Sequence, residues 1–290
     1  MPIAWVLNLE ADDERARGPG WTPPRALLAK LDHEVQRLRA ALLDEDDVIV
    51  SRDAPVELGP AYTGAVWSVT ARALAQLKRA KVRVGAFPSE AIVTAVSSRA
   101  FAQRLRAVAP REVMVTHETI ATIELGAPPS RVSMAHTAAG RGHALCPDEA
   151  TRSAAISAML ARSGVAFVAE HVEVLADYAM HGWVSAKGGA TLGEPTESIV
   201  DRRTMAWRET VSATSLAPSE ARALEREASE TASALASAGY FGPFGIDAFR
   251  YRARDGSTAF CPRCEVNARF TMGWAVGMRS ARSRLLGAKS

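Results

Sequence analysis

The sequence predicts an α/β (α+β) fold, in which a unit built on a parallel sheet is followed by a larger region of antiparallel strands. In the first hundred residues, short apolar runs typical of strands alternate with amphipathic stretches typical of helices. Near the carboxyl end, two alternating stretches flank Asp255-Gly256, a dipeptide typical of hairpin turns. The first pattern favours parallel strands joined by helices, and the second favours an antiparallel pair.

The N-terminal region has a β-α-β-α-β order. Residues 3–9 form the first predicted strand, and Pro23-Pro24 begins a helix whose leucines recur on one face. Residues 48–50 form the second strand, 66–81 the second helix and 82–86 the third strand. Strands joined by helices in this order predict a small, mostly parallel sheet.

A helix is predicted over residues 90–108, with Arg99, Arg104 and Arg106 pointing outward. A basic helix face is most often solvated, so this pattern favours a surface role over contact with a ligand. A second, shorter helix is predicted over residues 118–125.

A glycine-flanked loop follows the predicted strand at residues 131–135. Its centre is Gly140-Arg141-Gly142. Small residues let backbone N–H groups approach phosphate oxygens, and Arg141 would add positive charge. The same tripeptide also occurs in ordinary hairpin turns, so both interpretations stay open.

Residues 148–162 form an alanine-rich amphipathic helix, and the strand at 165–168 ends at Glu170-His171-Val172-Glu173. Another strand is predicted over residues 178–187. A long helix over residues 218–238, with glutamates in its first turns, then leads the chain to the hairpin.

The hairpin carries polar side chains at alternate positions. Its strands are predicted over residues 244–251 and 259–266. Because strand side chains alternate between faces, Glu265, Asn267 and Arg269 should all point the same way. A carboxylate, an amide oxygen and a guanidinium would then stand in one row.

The register decides whether Asp247 joins that row. A two-residue loop would pair position 247 with position 264 and send Glu265 to the other face. An odd-length loop, or a bulge near Pro262, brings Asp247 and Glu265 onto one face. Two carboxylates and an amide oxygen suit Mg²⁺, and a guanidinium suits phosphate. A merely solvated hairpin face is the alternative on spacing alone.

Composition limits the class of partner. Hydrophobic residues make up 48% and charged residues 23% of the 290 residues, as in ordinary globular proteins. The net charge of +3 is not gathered into a basic stripe, so small molecules are expected as partners rather than nucleic acid. No signal peptide or membrane span is predicted, which leads to the expectation of a cytoplasmic protein without a membrane partner. A homodimer is compatible with the sequence.

The three cysteines, Cys146, Cys261 and Cys264, are expected to be reduced thiols. Cys261-Pro-Arg-Cys264 also allows a zinc or redox alternative. Structural zinc needs four ligands, however, and no second Cys-x-x-Cys is present. Redox pairs of this spacing normally begin a helix, which this strand position does not provide.

The order of these elements resembles that of the ATP-grasp superfamily of carboxylate–amine ligases. The most specific pieces are Gly245-Ile-Asp247 and Glu265-Val-Asn267-Ala-Arg269, which are similar to the superfamily's metal-binding acid and its Glu-x-Asn-x-Arg motif. The resemblance covers most of the chain. It implies a pre-ATP-grasp domain at residues 1–96, a small lid subdomain at 97–164 and a large subdomain at 165–290.

By this resemblance, ATP and Mg²⁺, or Mn²⁺ in its place, are the expected cofactors. Asp247, Glu265 and Asn267 would hold the metal between the ATP phosphates. Arg269 would contact a phosphate or an acyl-phosphate intermediate, and Arg141, between its two glycines, would act on the phosphates as well.

The remaining nucleotide contacts are also implied by the resemblance. Gly140 to Gly142 would cover the phosphates, and the segment Val168 to Val172, which includes Glu170 and His171, would receive adenine through its backbone groups. Ribose contact would fall to Glu173 or Asp177.

One departure from the family pattern concerns a lysine. The family usually has Lys on the strand before the glycine loop, where this chain has Ser133. Loss of a cation at phosphate weakens transition-state stabilisation, so Arg131, Arg141 or Lys187 would have to replace it.

The resemblance implies an ADP-forming ligase that joins a small-molecule carboxylate to an amine through an acyl-phosphate, with an amino acid or peptide among the expected substrates. The alternative is a catalytically degenerate member that binds a nucleotide or a partner protein.

Overall fold

The computed structural model describes residues 1–18, 20–52, 56–105, 108–138, 141–201 and 207–287. Within these ranges the strands form three sheets.

The first sheet is parallel, as the sequence predicts. Its strands are β1 (Ile3–Val6), β2 (Val48–Ile49), β3 (Thr63–Val66) and β4 (Arg83–Val84), in the order β2-β1-β3-β4. The helices of this part of the chain are α1 (Ala11–Arg17), α2 (Arg25–Leu42), α3 (Ala71–Arg79) and α4 (Glu90–Val96).

Two boundaries in this unit differ from the prediction. The chain leaves β1 after Val6 and forms the short helix α1, where the sequence suggested a strand to residue 9. The predicted helix at 66–81 begins only at Ala71, because Thr70 caps it by accepting a hydrogen bond from the Ala73 N–H at 3.2 Å. The strand β3 just before it was not predicted. Gly64 in β3 lies against Leu77, where a Cβ atom would come within 2.8 Å of that side chain.

The second sheet is antiparallel and packs on one helix. It contains β5 (Glu112–Thr116), β6 (Ser130–Ala138), β7 (Arg141–Cys146) and β8 (Val165–Glu170), in the order β5-β8-β6-β7, with α6 (Glu149–Ser163) on one face. Because strand side chains alternate, the opposite face carries Glu112, Arg131, Ser133 and His143.

The connections into this sheet are less helical than expected. The predicted helix at 90–108 is two helices, α4 and α5 (Arg99–Arg104), because the Ser98 hydroxyl begins a new helix by accepting from the Phe101 N–H at 3.2 Å. The segment predicted as a helix at 118–125 is a series of turns instead. There the hydroxyls of Thr116 and Thr119 bond to the local backbone and to each other, which competes with helix formation.

The third sheet surrounds the predicted hairpin. It contains β9 (Glu173–Val184), β10 (Ala190–Leu192), β11 (Thr196–Val200), β12 (Trp207–Ser212), β13 (Gly242–Arg252) and β14 (Thr258–Asn267), in the order β12-β11-β9-β13-β14 with β10 also on β9. The helices here are α7 (Pro218–Ser237), α8 (Trp274–Gly277) and α9 (Arg282–Gly287).

Hydrophobic cores join the first sheet to the third. One cluster includes Leu77 and Val93 from the N-terminal unit together with Leu224 and Ile246. A second is aromatic, with Phe270 packed 5.2 Å from Trp5 and 4.8 Å from Trp274 between ring centroids. The aromatic cluster holds the segment after β14 against the N-terminal sheet, and this contact sets the position of the neighbouring Arg269.

The division of the chain at 96/97 and 164/165 stays a prediction. Strand pairing places β8 in the second sheet, although it falls within the predicted third unit. Among the described helices, none combines the length and the apolar character needed to cross a membrane.

Candidate functional site

The turn of the hairpin gives the register on which the site depends. Five residues, 253–257, connect β13 to β14, and Gly256 has a φ of 82°, which favours glycine. The register then shifts between Asp247 and Phe249, where β14 has two residues more than β13. The odd-length loop therefore decides which face the side chains share, and the two-residue shift keeps that face while it moves the partner of Asp247 from Arg263 to Glu265.

As a result, Asp247 lies directly opposite Glu265, and Gly245 lies opposite Asn267. Side chains of directly paired residues share a face, so the two carboxylates are neighbours. The Asn267 amide nitrogen donates to an Asp247 carboxylate oxygen at 2.9 Å. The convergence of these three side chains agrees with the sequence prediction.

This pair of acids is electrostatically crowded. Burial, followed by the negative charge of Glu265, raises the pKa of Asp247 to about 7. Asp177 on β9 raises the pKa further, whereas Arg269 and the hydrogen bond from Asn267 lower it. Two close carboxylates with an adjacent amide favour a divalent cation, because a bound cation relieves their repulsion.

The three side chains fit Mg²⁺ in the number and chemistry of their oxygens, since Mg²⁺ is usually held by one or two carboxylates and completed by water and phosphate. Within the described ranges, no cluster of three or more His, Cys, Asp or Glu side chains could hold a metal. The candidate site differs from such a cluster because its third oxygen comes from the amide of Asn267. The zinc and redox alternative for Cys261 and Cys264 is unsupported. Burial raises the pKa of Cys261 to about 11 and that of Cys264 well above its usual value, which keeps the thiols protonated.

Arg99 is a site residue that the sequence interpretation placed incorrectly. Its side chain is buried, not outward, and its guanidinium lies 3.0 Å from Glu112 and 3.7 Å from Glu265. Burial lowers the pKa of Arg99, but the two carboxylates outweigh burial and raise it. Thr137 of β6 donates to Glu265 at 2.9 Å, beside Arg99. Of the other two arginines in that pattern, Arg104 is exposed and Arg106 lies outside the described residues.

Arg269 lies beyond the end of β14 and is held by the N-terminal unit. Its Nε donates to Asp12 Oδ2 at 2.8 Å, and its Nη2 lies 2.7 Å from the same oxygen. Burial raises the pKa of Asp12, but Arg269 and then Arg15 lower it by more. Helix α1 therefore fixes the guanidinium beside the hairpin acids. The role of Asp12 had no signal in the motif, because it depends on a contact across 257 positions in sequence.

The predicted phosphate side is described in part. Gly142 has a φ of 81°, as a tight glycine turn requires, while Gly140 and the Arg141 side chain lie outside the described residues. Ser133 is fully buried, and its hydroxyl has no hydrogen-bond partner in the described part of the chain. Arg131, on the same face of the sheet, lies 3.9 Å from Glu112.

The predicted adenine segment connects β8 to β9. Glu170 pairs with Arg254, and the His171 N–H donates to the Pro129 carbonyl at 3.0 Å. Val172 packs with the apolar cluster of Phe249, Tyr251 and Cys261. The His171 N–H is therefore already engaged within the protein, and the adenine role of this segment stays a prediction.

The two candidate ribose acids lie at different distances from the metal site. Ala179 of β9 is opposite Asp247, so Asp177 is two residues away along the strand and Glu173 is six. At the usual rise per strand residue, Glu173 is about 20 Å away. Glu173 instead pairs with Arg252 at 2.9 Å, near the hairpin turn. This geometry favours Asp177 where the sequence left both open.

The structure does not bring Lys187 to the acids. Lys187 is exposed in the turn after β9, eight residues from Ala179, or about 25 Å along an extended strand. A lysine side chain is far shorter than that. A cavity of about 600 Å³ lies away from the hairpin acids, between residues 74 and 90 of the N-terminal unit. None of the predicted site residues lines it.

No protein-family model and no curated protein sequence matches the chain. Solved structures do. The chain is similar to D-alanyl-alanine synthetase A from Vibrio cholerae O1 biovar eltor, with 12% identity, coverage of 92% of this chain and 89% of that one, and a TM-score of 0.53. It is also similar to the VanG D-Ala:D-Ser ligase from Enterococcus faecalis, with 11% identity, coverage of 92% and 90%, and a TM-score of 0.51.

A third similar structure is N5-carboxyaminoimidazole ribonucleotide synthetase from Thermus thermophilus, with 16% identity, coverage of 93% of this chain and 72% of that one, and a TM-score of 0.50. At these identities the likeness concerns the fold. The three similar structures, the parallel N-terminal sheet and the two antiparallel sheets that follow agree with the predicted architecture. The chain has the ATP-grasp fold.

Proposed function

We propose that the protein is an ADP-forming ligase that activates a small-molecule carboxylate with ATP and joins it to an amine. The observation that carries the proposal is the convergence of Asp247, Glu265 and Asn267 on neighbouring strands. Two of the similar structures, a D-alanyl-alanine synthetase and a D-Ala:D-Ser ligase, support the same reaction class.

The proposed roles follow from charge. Asp247, Glu265 and Asn267 would hold Mg²⁺, which when bound supplies positive charge to the ATP phosphates. Arg269, fixed by Asp12, would donate to oxygens of the transferred phosphate or of the carboxyl it activates. Such a site works by positioning and neutralisation, and it needs no covalent nucleophile from the protein.

Arg99 is the strongest candidate to replace the missing lysine. Arg99 is buried and charged, and its guanidinium lies 3.7 Å from Glu265. It also contacts Glu112 and Thr137, which belong to the same sheet as Ser133. Arg131 and Arg141 are the other candidates, whereas the position of Lys187 argues against it. In this proposal Asp177 serves the nucleotide ribose, and the 170–172 segment serves adenine.

The test is ADP release by the purified chain with Mg²⁺ and ATP, across pools of amino acids, dipeptides and small amines, with products identified by mass spectrometry. A ligase gives ADP only when both substrates are present, and a product heavier than either. The Asp247→Asn variant should lose this activity. The exposed Asp32→Asn is the matched control and should keep it. Absence of substrate-dependent ADP across the panel contradicts the proposal.

A second candidate function is nucleotide binding without ligation. Ser133 supports it, because a buried neutral hydroxyl stands where the family has a cation. Tight ATP binding together with no product from the full panel would favour this candidate over the ligase.

A further inference from the structure

An apolar cleft lies at the edge of the first sheet, outside strand β4. Because β4 is the end strand in the order β2-β1-β3-β4, no strand in the described part of the chain covers its outer side. The cavity of about 600 Å³ at this edge is bordered by α3, by β4 and by the loop that leads to α4. Its volume is within the range of cavities that bind small molecules.

The walls of the cleft are mostly apolar. Val82 belongs to the main hydrophobic core, and Leu74 and Phe87 pack against that core from the side of the cleft. Pro88 also lines the cleft. Val84 is different, because it is 47% exposed although it lies in a strand. Contiguous exposed apolar surface of this kind marks binding sites more often than single exposed side chains do.

Two lysines, Lys78 and Lys81, give the rim of the cleft a positive charge. Lys78 lies one helical turn after Leu74 on α3, so the two side chains share a face of the helix. Lys78 is exposed and forms no ion pair with any of the described residues. Glu90 also lines the cleft, but its carboxylate accepts from the Ala71 N–H at 3.1 Å, at the opposite end of α3 from the lysines. The charge available to a ligand is therefore positive.

Lys81 has a backbone conformation that favours glycine. Its φ is 55°, and among the described residues it is the only one other than glycine with a positive φ. A side chain in this left-handed region costs conformational energy that glycine avoids. Lys81 pairs with Glu57 at 2.8 Å, but the two side chains are 64% and 66% exposed, and such pairs contribute little. A charge beside the cleft is a reason for lysine here that the ion pair does not supply.

We propose that this cleft binds an organic anion with an apolar body, such as a medium-chain or aromatic carboxylate. The apolar walls would cover the body, and the ammonium groups of Lys78 and Lys81 would hold the carboxylate. A neutral apolar ligand would leave both charges unused, and a bare carboxylate would leave Val84 exposed. The site is separate from the hairpin site, and it goes beyond the ligase function without depending on it.

Isothermal titration calorimetry of the full chain with octanoate, phenylbutyrate, their neutral amides and acetate tests the proposal. The two longer carboxylates have both parts of the ligand, the amides lack the charge, and acetate lacks the apolar body. At least one longer carboxylate should bind about tenfold or more tightly than its amide and than acetate, as expected when a charged hydrogen bond and apolar burial each contribute.

Variants at the cleft locate the binding. Lys81→Gly removes the ammonium and supplies the residue that a φ of 55° favours, so binding should weaken without a loss of thermal stability. Lys78→Gln removes the second charge, and each variant should weaken binding by about threefold to tenfold. Val84→Asp places a repelling charge on the exposed wall and should weaken binding by about tenfold or more. Lys30→Gln, exposed on α2, is the matched control and should bind as the unmodified chain does.

Thermal unfolding checks that each variant is folded. The proposal is overturned if neither longer carboxylate binds, if an amide binds as tightly as its carboxylate, or if the lysine variants and Val84→Asp leave binding unchanged. The other occupant of such a cleft would be a second copy of the chain. A concentration-dependent dimer in analytical ultracentrifugation that Val84→Asp dissociates, together with no carboxylate binding, would assign the cleft to that interface instead.

Discussion

Strand β14 contributes one residue to each of two charged pairs that have opposite electrostatics. On β14, Arg263 pairs with Glu227 of α7 at 3.0 Å, and both side chains are almost completely buried. Two residues further along, Glu265 lies opposite another acid, Asp247. The first pair is complementary and also bonds the Ala102 carbonyl through Arg263 at 2.9 Å. The second pair is repulsive, and with burial it raises the pKa of Asp247. One pair supports the fold, and the other belongs to the proposed cation site.

Removal of one partner from the complementary pair should have the largest effect on stability. Glu227→Ala leaves the Arg263 guanidinium buried without its carboxylate, which should lower the free energy of unfolding by about 3–5 kcal/mol. Urea denaturation measures the loss. The double variant Glu227→Leu with Arg263→Met should lose much less, because no charge stays buried. An equal loss in both variants would mean that packing, not charge, decides stability there.

The repulsive pair should respond in the opposite direction. The pKa of Asp247 is about 7 in the folded chain, against 3.8 in the unfolded chain. Well below pH 3.8 the carboxyl is protonated in both states, so its burial carries no ionisation penalty. As pH rises to 7 the unfolded chain ionises first, so the penalty grows. Asp247→Asn should therefore stabilise the metal-free protein by an amount that increases between pH 4 and 7, to on the order of 2–4 kcal/mol.

Thermal and urea unfolding at several pH values, in the presence of EDTA, would measure this effect. Asp32→Asn, at an exposed position, should show no such pH dependence. A destabilised Asp247→Asn protein at pH 8 would show that Asp247 is a structural residue and not a strained ligand.

A substitution of Arg99, which lies beside Glu265 of the repulsive pair, tests the proposed contact with the ATP phosphates. Arg99→Met removes a buried cation between Glu112 and Glu265, so ATP affinity should fall by about ten- to hundredfold, the value of one charged hydrogen bond. Arg104→Met, on the exposed side of the same helix, is the matched control. Fluorescence titration with a labelled ATP analogue measures both. Equal affinities in the two variants would remove Arg99 from the nucleotide site.

The smallest effect is expected at Thr137. Thr137→Val keeps the side-chain shape but removes the hydroxyl that donates to Glu265 at 2.9 Å. The loss should be about 1 kcal/mol in unfolding free energy without metal. Urea denaturation with EDTA measures it, and Thr122→Val, an exposed turn position, serves as control. No difference between the two variants would mean that the contact adds nothing to the site.

The convergence of the hairpin side chains could be predicted, because in a strand pair only an odd or even register decides which side chains share a face. Once residues 244–251 and 259–266 are recognised as paired strands, only odd or even register is left to decide, and the alternating Glu265 and Asn267 already share a face. The parallel character of the first sheet was also predicted, although its strand β3 was missed because the segment before Ala71 was assigned to a helix.

Other site residues could not be read from the sequence, because they depend on how helices are oriented. Arg99 lies in a pattern with Arg104 that resembles a solvated face, and only the break at Ser98 rotates it inward. Asp12 belongs to an acidic stretch, and its partner Arg269 is remote in sequence. Local patterns do not specify such contacts.

The central claim is that Asp247, Glu265 and Asn267 form a metal-dependent site for nucleotide phosphates. Its most direct test is isothermal titration calorimetry of the full chain with ATP, in Mg²⁺ and then in EDTA, for the unmodified protein, Asp247→Asn and Asp32→Asn. The account predicts ATP binding that requires Mg²⁺, is lost in Asp247→Asn and is retained in Asp32→Asn. Equal binding with Mg²⁺ and with EDTA, or unchanged Mg²⁺ dependence in Asp247→Asn, would contradict it.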